Sequence, residues 1–296
     1  MTSPGISILV TAFREADTIR RALEALIAQV CAPEAEIIVI CPDDETAEAA
    51  SGFSQVLVVR DPGRGKPAAL NLGLQKARGE LIVMTDGDVW IEPGALDALL
   101  APFSDPQVGA VSGRPISASP RDTMLGYWSH LLTDAGAHDE RTERDRRGEF
   151  MVCSGYLYAI RASLAQPIPE DALAEDAVVS RQVAEQGGRI RYAPDAHVAV
   201  RYPVTYRDWL IQKVRSAGGY VQPVVTRSRF QMRSFWREAT AGPWRALTYA
   251  RSPRELVWTI LLAGARLHLW LLIYWRVRIQ NQPLTRLWQR VESTKS

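Results

Sequence analysis

The sequence predicts an α/β fold: a mainly parallel sheet covered by helices on both faces, followed by a basic helical tail. Three observations predict it. Short apolar runs rich in Val and Ile alternate with stretches of helical periodicity through the first half of the chain. Buried parallel strands read as continuous apolar runs, and helices between them supply the crossovers. Polar residues collect just after several of these runs, where open α/β sheets place their ligands. Charge also divides near residue 200. From Arg201 onward there are 17 Lys+Arg against 4 Asp+Glu, a balance of +13, whereas residues 1–200 carry −11.

Taken in order, Ile6–Val10 reads as the first buried strand, and Leu23, Leu26 and Ile27 mark one side of a helix that begins near Thr18. Glu36–Ile40 and Val56–Val59 are further strands. A helix follows from Pro67 to about Lys76, then a strand at Glu80–Thr85, a helix near Pro93–Leu100 and a strand at Val108–Gly113. The stretch His138–Glu149 is almost wholly charged and reads as a loop or a loosely held, solvated helix. Another helix starts at Glu175 and Asp176 and stops at Gly187 and Gly188.

With 47% hydrophobic and 23% charged residues, the chain has globular composition, which excludes disordered and fibrous classes. The division of charge suggests a main domain over residues 1–225 and a helical, membrane-associated tail over 226–296. Seven of the nine Trp lie after residue 200: Trp209, Trp236, Trp244, Trp258, Trp270, Trp275 and Trp288. Basic residues interleaved with Trp suit an anionic membrane surface. Nucleic acid is the competing partner for a basic tail, and it is not expected here, because the tail also holds the 20-residue apolar stretch Leu256–Trp275. That stretch is long enough to span a bilayer, but Arg266 and His268 interrupt it. A span, an interfacial or re-entrant helix and a buried core helix all stay open. Cys31, Cys41 and Cys153 are odd in number and lack metal-ligand spacing, which fits a reducing compartment. No charged lead and apolar run opens the chain, so the main domain is expected in the cytoplasm.

Three segments carry candidate chemistry. Thr85–Trp90 reads TDGDVW, two carboxylates one residue apart at the end of an apolar strand. Hard oxygen ligands of this kind suit Mg²⁺ or Mn²⁺ beside phosphate oxygens, although Asp-Gly-Asp is also an ordinary turn. In Gly63–Gly79, Gly63 and Gly65 allow close backbone approach to a ligand, and Arg64 and Lys66 could meet phosphate; the spacing is not that of a P-loop. Glu175 and Asp176 open a helix. Dipole complementarity alone would account for them there, and a general base taking a proton from a hydroxyl is the functional alternative. His197 is a candidate third metal ligand, and Trp209 and Tyr220 are candidate sugar-stacking residues.

In order along the chain, Ile6–Ile19, Glu36–Thr46, Gly65–Asp88, Val108–Gly113, Ser154–Arg161, Ala174–Asp176 and Gln212–Tyr220 resemble the motif series of family-2 glycosyltransferases with the GT-A fold, including the branch similar to cellulose, chitin and hyaluronan synthases. The resemblance covers residues 6–220. It implies transfer of a sugar from a nucleotide-diphosphate donor, a UDP-sugar favoured, to a membrane-borne lipid-linked or polysaccharide acceptor, with Mn²⁺ or Mg²⁺. Residue by residue, it implies that Thr11 and Glu15 line the nucleotide pocket and that Asp43 or Asp44 recognises the base. Lys66 would approach the diphosphate, Asp86 and Asp88 would bind diphosphate and metal, and Asp176 would be the base of an inverting displacement. Glu175, Gln212 and Arg215 would sit near donor and acceptor.

Two positions depart from the family pattern. Arg14 stands where Asn is common, and Ser216 follows Arg215 where processive members carry Trp, so transfer of one or a few sugars is expected. A sugar-phosphate nucleotidyltransferase and a non-catalytic sugar-nucleotide-binding module are the alternatives. The first is disfavoured because the loop after the first strand, TAFREAD, lacks Gly. Assembly with a separate membrane protein stays open.

Overall fold

The computed structural model describes residues 5–30, 35–219 and 245–275. Cys31, Tyr220, Trp236, Trp244, Trp288 and most of the 226–296 tail lie outside the described residues.

Eight strands form one sheet: β1 (Ile6–Thr11), β2 (Ala35–Cys41), β3 (Val56–Arg60), β4 (Leu81–Asp86), β5 (Trp90–Ile91), β6 (Val108–Ser117), β7 (Leu157–Arg161) and β8 (Arg189–Val200). Their spatial order is β3-β2-β1-β4-β7-β6-β8-β5. The helices are α1 (Ala16–Ile27), α2 (Asp44–Ser51), α3 (Lys66–Lys76), α4 (Ala95–Leu100), α5 (Met124–Leu131), α6 (Asp139–Arg147), α7 (Glu175–Glu185), α8 (Tyr206–Gly219) and α9 (Pro253–Tyr274). Alternate residues of each central strand point to opposite faces. Ile8, Val10 and Val39 pack with Leu23 of α1 and Leu99 of α4. Leu9, Ile38 and Ile40 pack with Leu70 of α3 and Val179 of α7. Helices therefore cover both faces.

Neighbours β1–β2, β2–β3, β1–β4 and β6–β8 are parallel. The exception that builds the site is β7, antiparallel to both β4 and β6. The chain leaves β6 at its carboxyl end, runs through α5 and α6, and returns at the same end, so the strand it enters must run downward. The start of β7 thus lies against the end of β4: Leu157 pairs with Thr85, and the Thr85 hydroxyl donates to the Tyr156 carbonyl at 2.8 Å.

The charged stretch, read as a loop or a loosely held helix, is a helix, and it is held more firmly than that reading expected. A π-helical turn, Leu132–His138, leads directly into α6, which ends at Gly148 with φ 64°. Glycine supplies the left-handed cap. Arg144 is buried and bonds Glu140 at 2.6 Å and the Phe150 carbonyl at 3.0 Å. Asp145 accepts from Arg191 at 2.8 Å. The helix is held by charge pairs and carbonyl contacts, so an apolar stripe is not needed and none is present.

Helix α9 buries one stripe, Leu262, Ala265, Leu269 and Ile273, against α5 and α8. Arg121 pairs with Glu255 at 2.9 Å, Tyr127 and Thr259 share a hydrogen bond of 2.7 Å, and the Trp128 indole donates to the Trp258 carbonyl at 2.7 Å. The opposite face, with Val257, Ile260, Leu267, Leu271 and Tyr274, is exposed. It is therefore not the buried core helix that had stayed open.

Among the described residues, Arg14 is the one non-glycine with positive φ, at 53°. Its backbone N–H donates to Asp43 at 2.8 Å, fixing the turn after β1. Non-glycine residues pay for this conformation, and Asn tolerates it best. Arg14→Asn is expected to stabilise the fold by about 0.5–1 kcal/mol, read as a higher urea midpoint at unchanged slope.

Candidate active site

A cavity of about 760 Å³ opens above the carboxyl ends of β1 and β4. Of the residues expected in the site, Thr11, Glu15, Lys66, Asp86, Asp88, Glu175, Asp176, Gln212 and Arg215 line it. Five separate stretches deliver them: four come from a strand end or a helix start, and Gln212 and Arg215 come from the middle of α8.

The Lys66 ammonium is the centre of the arrangement. It lies 2.7 Å from Asp86 at the end of β4 and 2.8 Å from Glu175 at the start of α7. It also donates to the Gly155 carbonyl at 3.4 Å. Burial alone would push its pKa down, but the Asp86 and Glu175 carboxylates outweigh that and hold it well above the ordinary value. Gly63, with φ 71°, and Gly65, with φ 105°, shape the loop that brings the first turn of α3 to the cavity. The exposed N–H groups of such a turn suit an anion.

Thr11 ends β1 beside Asp86, and its hydroxyl donates to that carboxylate at 3.0 Å. Asp88 follows one residue further along, across Gly87. A Cβ at Gly87 would stand 2.7 Å from Glu15 and 2.8 Å from Ala12, so the turn can pack this closely only as glycine. Among the described residues, no group of three or more His, Cys, Asp or Glu forms a metal cluster, and His197 does not line the cavity. Paired carboxylates fit Mg²⁺ or Mn²⁺, which take their remaining ligands from phosphate and water. They do not fit a closed structural metal site.

Asp176 stands beside Gly155, where a Cβ would come within 3.3 Å of its carboxyl oxygen. Burial and then the Glu175 charge push its pKa up to about 6, while Lys66, the Ala177 N–H and Arg141 pull the other way. A carboxylate in this range is basic enough to take a proton near neutrality and is still ionised there. Gln212 is buried, and its Oε1 has no hydrogen-bond partner among the described residues. An acceptor left bare at a cavity wall suits a donor brought by a ligand.

Asp43 and Asp44 are not brought to the cavity. Asp43 caps α2 by accepting from the Thr46 N–H at 3.0 Å and the Thr46 hydroxyl at 2.6 Å. Burial raises its pKa, and the donors around it outweigh that and hold it below the ordinary range. Asp44 turns outward to Arg60 at 2.7 Å. Asp61, directly after β3, lines the cavity instead. It could have been found by the same carboxyl-end rule that picked out Thr11 and Asp86. Tyr156 and Arg141 also line the cavity and were missed. Tyr156 lies inside a quoted motif, whereas Arg141 hides among like charges.

A family model described as "Glycosyltransferase like family 2" matches residues 4–219. Among curated relatives, an N-acetylglucosaminyltransferase of Rhizobium meliloti is 27% identical over 237 residues, covering 72% of this chain and 55% of its own. A poly-beta-1,6-N-acetyl-D-glucosamine synthase of Staphylococcus epidermidis is 27% identical over 225 residues, covering 73% and 54%. The chain spans about half the length of the curated relatives it matches. Among solved structures, the fold is shared with a mannosyltransferase from Pyrobaculum calidifontis in complex with GDP-Man and Mn²⁺, at TM-score 0.64 and 22% identity, over 97% of this chain and 86% of that one. It is also shared with glucosyl-3-phosphoglycerate synthase from Mycobacterium tuberculosis, at TM-score 0.54 and 17% identity, over 76% and 79%.

The raised Asp176 pKa carries a stability consequence. Its folded value, about 6, lies above the ordinary 3.8, so its contribution is fully present below the lower value and is lost as pH rises through the upper one. Asp176→Asn is therefore expected to stabilise the protein at neutral pH by about 1–3 kcal/mol. The gain should vanish below about pH 4, in thermal melts run across the range.

Proposed function

The chain belongs to glycosyltransferase like family 2, and we propose that it moves a sugar from a nucleotide-diphosphate donor to a membrane-borne acceptor with inversion at the anomeric carbon. One observation carries the reading: Lys66 sits between Asp86 and Glu175, with Asp88 and Asp176 in the same cavity. This supports a place for a diphosphate and its cation next to a base.

In the proposed step, an acceptor hydroxyl oxygen bonds to the anomeric carbon. The bond from that carbon to the diphosphate oxygen breaks, and the nucleoside diphosphate leaves with the electron pair. The hydroxyl proton passes to Asp176. Lys66 and the start of α3 face the charge that develops on the leaving group. Asp86 and Asp88 would hold Mn²⁺ or Mg²⁺, which when bound neutralises that charge. Thr11 positions Asp86, Glu15 buttresses the Gly87 turn, and Gln212 and Arg215 meet donor or acceptor. Asp61 is better placed than Asp43 or Asp44 to read the base. UDP-sugar remains the favoured donor, on the family resemblance and on relatives named for N-acetylglucosamine.

Membrane association rests on α9. Its 22 residues carry a largely apolar exposed face, interrupted by Arg266 and His268, while the other side stays packed on the main domain. A helix bound along one side suits the interface better than a free span. This keeps the site at the cytoplasmic membrane surface, where a lipid-linked acceptor would be presented.

Asp176→Asn is expected to reduce transfer by at least about 100-fold, with donor binding largely retained. Asp88→Ala should also weaken Mn²⁺-dependent donor binding. Both are read by labelled-sugar transfer into lipid extract and by equilibrium donor binding; normal turnover in Asp176→Asn would remove the base. Leu267→Glu with Leu271→Glu is expected to cut the fraction bound to anionic vesicles several-fold in flotation, and an unchanged fraction would remove α9 as the contact.

A further inference from the structure

Helix α6 carries four arginines, and three have carboxylate partners. Arg144 pairs with Glu140 and Glu149, and Arg146 and Arg147 both pair with Glu143. Arg141 differs. It is only 8% exposed, its Nε donates to the Val152 carbonyl at 3.3 Å, and among the described residues it forms no ion pair. Its side chain lines the cavity. Its nearest charge partner on the cavity side, Asp176, acts on it without an ion-pair contact, and a buried guanidinium compensated only at longer range is costly unless something brings a closer counter-ion. Here the structure leaves the space on the cavity side.

The position of Arg141 separates it from the donor end. Lys66, at the start of α3, already has two carboxylates. Arg141 comes from the opposite connection, between β6 and β7, where the π-helical turn adds Thr133 and Ala137 to the same wall. Local π-helix is often found at functional sites. The charge of Arg141 reaches both Asp176 and Tyr202. It therefore lies within range of the base and reaches the cavity from a different element than Lys66 does.

We propose that Arg141 binds an oxyanion, phosphate or carboxylate, carried by the acceptor, and so orients the attacking hydroxyl toward Asp176. The guanidinium fork matches either group in a bidentate pair. The proposal rests on Asp176 as the base, and it narrows the acceptor to an acidic one.

The test is calorimetric titration of the full chain in detergent with octyl phosphate, octanoate, inorganic phosphate and neutral octyl glucoside, with Mn²⁺ and UDP or GDP present. The wild type should bind the alkyl anions and not the glucoside. Arg141→Met should weaken anion binding by about tenfold or more, and Arg146→Met, at an exposed arginine of the same helix, should leave it in place. Arg141→Lys, which keeps the cation, should bind between the two and guards against a folding defect. Retained anion binding in Arg141→Met, or no anion binding by the wild type, overturns the proposal. Equal loss in Arg146→Met makes the effect one of general helix charge, which overturns the Arg141 assignment and leaves the donor reading standing. Arg141-dependent anion binding in a chain that binds neither nucleotide upholds the anion site and sinks the transferase reading. Tighter binding of octyl phosphate than of inorganic phosphate supports the proposal with a lipid-borne anion, and equal binding supports it with a soluble one.

Discussion

Everything at the mouth of this sheet depends on one half-buried ammonium. Asp86, Asp88, Glu175 and Asp176 are four carboxylates around a single cavity. Without a cation among them, their mutual repulsion and desolvation would push the loops apart or force them to take up protons. Lys66 meets two of them at 2.7 and 2.8 Å. In doing so it ties the end of β4, the start of α3 and the start of α7 into one body. These ion pairs hold the charged groups of the site in fixed positions, which is the preorganisation that charge-stabilising catalysis needs.

The same clamp explains why the antiparallel strand matters. Because β7 descends beside β4, its leading residues Gly155 and Tyr156 stand over the end of β4. The connection that returns the chain to this point is α5, the π-helical turn and α6. It forms a wall of the cavity on one side and the seat of α9 on the other. Tyr249, just before α9, donates to Asp134 of the π-helical turn at 2.6 Å. Arg121 contacts both Tyr249, at 2.8 Å, and Glu255. The exposed apolar helix is therefore bonded directly to the element whose next residues line the site. On the proposed reading, the membrane surface and the acceptor end of the cavity are set at a fixed distance by this polar cluster.

Five of the eight strands, β1, β2, β3, β4 and β6, and the central charged residues of the cavity were legible in the sequence because buried parallel strands leave direct marks: apolar runs and the polar residues that follow them. Asp86 could be picked out this way; Lys66 and Asp176 were picked out by a glycine-bearing loop, a helix start and the family resemblance. Beyond the short or irregular strands β5, β7 and β8, two things were not legible. The direction of β7 depends on where a long connection returns, and no local periodicity records that. Helix α6 carries no apolar stripe, so its buried Arg141 and Arg144 read like solvated charge; only the three-dimensional partners, Val152, Phe150 and Arg191, reveal an ordered element. Asp43 has the residue type and place expected of a ligand-binding carboxylate, and the structure uses it to cap α2 and to hold the Arg14 N–H, outside the cavity lining.

The measurement that bears most directly on the central claim is Mn²⁺-dependent binding of UDP- and GDP-sugars, beside the bare nucleosides, to the wild type and to Lys66→Met. If Lys66 organises a diphosphate site, the variant should bind its nucleotide-sugar at least about tenfold more weakly and bind the nucleoside unchanged. Equal nucleotide-sugar affinity in the two proteins would show that Lys66 only balances charge in the fold, and the account of the site would fail.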